Sequence, residues 1–149
     1  MRFLRVIYVV AIAVVLVLLV IAGVEAFYPA PQYPDGPEHP PAYNSSEYEE
    51  WEQEWMKVQA KYQQEAAVHD RNIFFVVLPL GVVFAVVGTF IQRRLSIFGA
   101  GLILGGLGTM IFALVPYDLD NMLRFAGIAA TLAVLVFVGY KVFLSLRRS

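Results

Sequence analysis

Residues 45–71, SSEYEEWEQEWMKVQAKYQQEAAVHDR, form the one long polar piece of a mostly apolar chain. Within them Tyr48, Trp51, Trp55, Val58 and Tyr62 recur alternately three and four residues apart. That spacing gathers them on one face of an α-helix. Ser46 followed by Glu49 fits a capping box, in which the hydroxyl accepts a backbone N–H and the Glu side chain reaches back. Off the seam, Lys57 follows Glu54 by three residues and Glu65 follows Lys61 by four. Ion pairs at these separations add only about 0.2–0.5 kcal/mol each, so the seam needs a partner surface to contribute more. The heptad decays after Tyr62, where Glu65 and His69 take the next two seam positions, which is too short for an autonomous coiled coil. No helix breaker separates Ser46 from Leu78. The polar helix is therefore expected to run straight into the following apolar segment as one rod, with its seam buried by another chain or by a second copy. Lying flat on lipid is the weaker alternative, because membrane-surface helices carry Lys and Arg on their polar face and this one is rich in Glu.

The composition agrees with a membrane setting. Of 149 residues 59% are hydrophobic, and the mean hydropathy is +0.65, too apolar for an ordinary soluble domain. There is no cysteine, which excludes disulfides, thiol catalysis and Cys-based metal sites. A net charge of −1 gives no basis for nucleic-acid binding.

Before the polar helix, Arg2 and Arg5 precede an uninterrupted apolar run over 6–24, long enough to span a bilayer as a helix. Val24-Glu25-Ala26 also resembles a signal-peptidase site. The run exceeds the roughly 7–15 residues of a signal h-region, which favours an uncleaved anchor. Residues 27–43, FYPAPQYPDGPEHPPAY, carry six prolines, which forbid regular helix or central strand. An extended, partly polyproline-II arm follows. It acts as a spacer or, in the sharper alternative, as a docking arm with Phe27, Tyr28, Tyr33 and Tyr43 as contacts. The Asn44-Ser45-Ser46 sequon is read as chance.

After the polar helix three further spans are expected, at 72–91 with Pro79 inside, at 95–115 and at 123–144. Their turns are short, so neighbouring spans run antiparallel. Arg2, Arg5, Arg93, Arg94, Lys141, Arg147 and Arg148 fall on one side of this four-span arrangement, and Asp and Glu on the other. Lys and Arg mark the cytoplasmic face. Both termini are then cytoplasmic, and residues 27–71 are extracytoplasmic.

The spans are rich in small residues. Gly101, Gly105 and Gly108 mark the third, and Gly81 and Ala85 the second. In lipid, close backbone approach at small residues supplies helix packing, either within one chain or between copies. No ionisable side chain lies deep in an expected span, where a proton relay or ion site needs one. His69, Asp70, Asp118 and Asp120 cluster near the outer interface. They are more simply a helix–lipid boundary and a cap on the fourth span than a metal or catalytic site.

An AFYP-like exit from the first span, a Tyr- and Pro-rich arm and a YEEWEQEW helix are followed by RNIFF at the second span and an IQRR turn. Next come GLILGGLGTMIF, a short acidic turn, LRFAGI and a GYKVF exit. In this series the chain resembles a group of small uncharacterised prokaryotic multi-span membrane proteins. The resemblance covers nearly the whole chain. It implies the same topology in a bacterial-type inner membrane, and it transfers no functional residue.

The expectation is thus an all-α integral membrane protein with four transmembrane helices and one extracytoplasmic amphipathic helix after the first span. Residues 1–26 form the anchor, 27–44 the arm, 45–71 the Glu/aromatic helix and 72–149 a three-span bundle. The expected role is non-enzymatic and without cofactor or metal. It is an accessory or scaffolding subunit, or a homo-oligomer, associating through Tyr48, Trp51, Trp55, Val58 and Tyr62. Its partners are the lipid bilayer and either another membrane protein or further copies of itself. A small channel or transporter module is the alternative.

Overall fold

The computed structural model describes residues 2–36, 41–43, 45–116 and 119–147. Asn44, Asp118 and Arg148, which figured in the sequence reading, lie outside them. Within the described residues the chain is all-α: α1 (Arg2–Phe27), α2 (Ser46–Ile91), α3 (Ser96–Phe112) and α4 (Asn121–Arg147). The polar helix and the second span are a single 46-residue helix, about 69 Å long at 1.5 Å per residue. The polar helix and the second span thus form the one rod that the sequence leads one to expect. The continuity follows from the absence of any stop signal around Arg71. Pro79 sits inside α2 without ending it, as proline does when neighbouring helices support the freed backbone.

Two boundaries differ from expectation. The helix cap is Ser45, not Ser46: the Ser45 hydroxyl accepts the Tyr48 N–H at 3.1 Å and donates to the Ala42 carbonyl at 2.8 Å. Ser45 can close the preceding turn and start the helix together, which Ser46 cannot do from one residue further in. The third helix stops at Phe112 rather than reaching 115. Pro116 disfavours helical geometry in the residue before it and offers no N–H of its own, so Ala113 and Leu114 form a turn. At 17 residues, α3 sits at the short limit for a membrane span. Three helices, α1, α2 and α4, are long and apolar enough to cross a membrane.

The short helix is the centre of the bundle, with α2 antiparallel to it, α1 parallel and α4 on a third side. Gly81 and Gly106, and likewise Gly88 and Gly99, bring the α2 and α3 backbones into direct contact. A Cβ added at Gly81 would lie 2.8 Å from the Gly106 carbonyl oxygen, and one at Gly88 2.8 Å from that of Gly99. Fully buried Ala85 lies between these contacts. A second glycine face of α3 meets α1: Gly101 lies against Ile12, Gly105 against Ala13 and Leu16, and Gly108 against Val17. Thr89, Thr109 and Thr131 each donate to the carbonyl four residues back, which satisfies their hydroxyls inside their own helices.

The densest apolar cluster, Val20, Ile73, Phe74, Val77, Ala113 and Leu119, lies toward the end of the bundle nearest the polar half of α2. By contrast, Val14, Val15, Leu18 and Leu19 of α1 and Leu132, Leu135 and Val136 of α4 are exposed. A continuous apolar exterior of this kind suits lipid, not water.

Candidate functional site

The polar half of α2 and the proline-rich arm form one unit. The arm leaves α1 at Phe27, and its described residues, 28–36 and 41–43, follow α2 in antiparallel sense. Four contacts mark its course: Tyr28 on His69, Tyr33 on Tyr62, Gly36 on Trp55 and Tyr43 on Tyr48. The helix partners, 48, 55, 62 and 69, are spaced by seven residues, so the arm follows one heptad face of α2. Prolines suit this role because they lack the N–H that would otherwise need a partner in an extended strand. Gly36 comes within van der Waals reach of the Trp55 ring, since a Cβ placed there would be 3.4 Å from Cη2.

The foot of the arm is held by polar contacts. The ring of His69 stacks on that of Tyr28, with centroids 4.7 Å apart and planes 4° from parallel. Its Nε2 donates to the Tyr28 carbonyl at 3.1 Å, and Nδ1 lies 3.5 Å from Asp70 Oδ1. The side-chain amide of Asn72 donates to the Tyr28 hydroxyl at 3.0 Å. His69 is only 9% exposed. The tip is held by the Ser45–Ala42 bond and by tilted ring contacts of Tyr48 with Tyr43 and Trp51.

This geometry places each seam residue. Tyr48, Trp55 and Tyr62 face the arm of their own chain, and the Trp51 ring lies tilted against that of Tyr48. The Trp51 indole N–H is buried with no hydrogen-bond partner among the described residues. Val58 stays 42% exposed. The covered face continues past Tyr62 through buried Ala66 and His69 to Ile73 and Val77, where a strict heptad points to Glu65. A straight α-helix has 3.6 residues per turn and drifts about 20° per heptad. Val58 and Glu65 therefore rotate outward, while Ala66 rotates in. Reading the same stretch with a period of 3.6 would have found Ala66. Of the two expected i-spaced ion pairs, Lys61–Glu65 forms at 3.9 Å on the surface.

Of the boundary cluster, His69 and Asp70 are adjacent. Asp120 is instead the cap of α4, its carboxylate accepting the Met122 N–H at 3.4 Å. His69 has committed Nε2 to a carbonyl, and no group of three potential metal ligands converges among the described residues. One residue the sequence reading passed over is Arg124, whose guanidinium donates to the Pro116 carbonyl at 2.9 Å and ties the α3–α4 turn. The small residues named in advance occupy two interfaces, Gly81 and Ala85 facing α3, and Gly101, Gly105 and Gly108 facing α1.

Comparison with protein families, with characterised proteins and with solved structures finds no match.

Proposed function

We propose that the chain is a non-enzymatic four-span protein of a prokaryotic inner membrane that presents a braced extracytoplasmic rod to a protein partner or to a second copy. The supporting observation is the arm–helix unit. The polar half of α2, about 39 Å at 1.5 Å per residue, is continuous with a span and stiffened along its length by its own arm. It is an exposed element with the build of a spacer or a docking post. Met56 and Val58 stay exposed among glutamates on the two sides of the rod that flank the arm-covered Trp55. The segregation of Arg93, Arg94 and Lys141 from the acidic rod supports the orientation. The third span is α3, which packs between longer neighbours at the short limit of spanning length.

Val58→Asp and Met56→Asp change both exposed sides of the rod without replacing the residues that hold the arm. In native mass spectrometry from nanodiscs, the wild type should show one defined oligomer or stoichiometric complex, and the double variant should dissociate it. If the oligomeric state and the bound proteins survive the double change, the exposed sides of the rod are not the interface.

A further inference from the structure

At the opposite end of the bundle a cavity of about 350 Å³ opens where α2 ends, α3 begins and α4 passes. Gln92, Arg93, Ser96 and Lys141 contribute polar groups to its wall, and Phe90 and Phe137 contribute apolar ones. These four side chains can donate hydrogen bonds, and a fifth polar residue of the wall, Thr89, gives its hydroxyl hydrogen to the Ala85 carbonyl. The Lys141 ammonium stands 5.9 Å from the Phe137 ring centroid, within cation–π reach. The sequence holds no Asp or Glu between residues 71 and 117 or beyond 120. The two cations of the cavity therefore meet no acidic side chain from this end of the chain. Helix α3 also starts at Ser96 without a side-chain cap, which leaves donor N–H groups and partial positive charge on the same side.

We propose that this cavity binds the phosphate group of an anionic phospholipid from the surrounding leaflet. Its volume lies at the lower end of small-ligand pockets, about 300–1,000 Å³, which suits a head group rather than a whole lipid. An Arg fork and a Lys point charge are the side chains that recognise phosphate. Basic pockets between spans on the cytoplasmic side recognise anionic head groups for this reason. A lipid is favoured over a soluble phosphate ester because the apolar wall is exposed: Phe90 and Phe137 line the way from the cavity toward the lipid-facing surface of α2 and α4. Acyl chains can follow it while the phosphate stays with the cations. The assignment rests on the membrane placement proposed above and is independent of what the rod binds.

The test uses the full chain in nanodiscs of phosphatidylcholine with a graded fraction of phosphatidylglycerol, released into native mass spectrometry. Wild type should retain one phosphatidylglycerol per chain. The double variant R93Q/K141Q should need about tenfold more of that lipid to do so. The decisive control is Arg94→Gln, which removes the same charge from the same turn but not from the cavity wall, and it should leave retention unchanged. Equal loss in Arg94→Gln and Arg93→Gln would mean a diffuse charge effect and overturn the site. Displacement of the lipid by millimolar glycerol phosphate would overturn the lipid assignment in favour of a soluble ester. A photoreactive phosphatidylglycerol needs no variant. It should label the peptides carrying Phe90 and Phe137, and labelling concentrated on α1 would overturn the site even if the variants misfold. Release of the wild-type protein from membranes by alkaline carbonate would instead sink the membrane placement itself.

Discussion

The carbonyl of Tyr28 accepts the Nε2 hydrogen of His69 at 3.1 Å, joining residues 41 positions apart in the chain. This bond lies where α1, the arm and α2 meet. It fixes where the arm begins its return along the rod, and the rings of the same two residues stack on each other. A hydrogen bond of this kind contributes about 0.5–1.5 kcal/mol.

The first expectation concerns that latch. His69→Phe keeps a ring for Tyr28 to stack on but removes the hydrogen bond, and His69→Ala removes both. Tyr28→Phe removes only the bond from Asn72, worth about 0.5–1.5 kcal/mol. Protease cleavage within residues 28–43 should accelerate most in His69→Ala, less in His69→Phe and least in Tyr28→Phe. Equal, wild-type cleavage in all three would show that the arm is held by its tip and not by its foot.

The second separates two adjacent serines. Ser45→Ala removes the cap on Tyr48 and the bond to Ala42 together. Loss of an N-cap hydroxyl costs about 1 kcal/mol. Ser46→Ala removes no hydrogen bond that the structure assigns to its side chain. Hydrogen exchange at the amides of residues 47–49 should quicken about fivefold in Ser45→Ala, a cap's worth of local stability, and hardly at all in Ser46→Ala. The reverse order would restore the capping box expected from Ser46 and Glu49.

The third concerns the α3–α4 turn. Arg124 donates to the Pro116 carbonyl at 2.9 Å, at the point where α3 has already ended. A hydrogen bond to a charged group contributes about 1.5–3 kcal/mol. Arg124→Met keeps much of the stem and loses the donor. It should lower the thermal midpoint of the detergent-solubilised protein, and Arg94→Met, on the exposed α2–α3 turn, should leave it nearly unchanged.

Much of the scaffold was legible because its signals are local. Apolar runs of spanning length, the unbroken stretch from Ser46 to Leu78 and the small residues of α2 and α3 each act through their own neighbourhood in the chain. The arm was legible only as extended: prolines dictate a conformation, not an address. Its address depends on pairs such as Tyr28–His69 and Tyr33–Tyr62, which no periodicity within the arm reveals. The seam was found, but its continuation was missed because a 3.5-residue repeat was extended along a straight helix of 3.6. That error hid Ala66. His69 does fall on the heptad, but as a polar residue beside lipid it reads as the boundary of the segment, when it is the residue on which the arm is seated. Arg124 was overlooked for a related reason. A single cation at the mouth of an apolar run reads as a boundary marker, and only the turn geometry shows what it binds.

The last expectation sorts the glycines by what surrounds them. Gly106 lies where a Cβ would be 2.6 Å from the Ala85 nitrogen and 2.7 Å from the Gly81 oxygen. Both are backbone atoms, so no rotamer change relieves the clash and α2 and α3 must separate. Overpacking of this kind costs about 1–3 kcal/mol, and in lipid no hydrophobic drive compensates for the lost contact. Gly23 and Gly139 have nothing within 4 Å of the same position, and there Ala gains about 0.5–1 kcal/mol of helix stability over Gly. Gly101 is intermediate: a Cβ there would lie 2.7 Å from Ile12 Cγ2 and 2.8 Å from Ile12 Cβ, so α1 must shift, but the backbone contact between α2 and α3 is kept. Thermal unfolding in detergent should therefore rank the variants Gly106→Ala lowest, Gly101→Ala next, and Gly23→Ala and Gly139→Ala at or above wild type. A Gly106→Ala protein as stable as wild type would mean that the two helices do not touch backbone to backbone, and the central place of α3 in the bundle would fall with that contact.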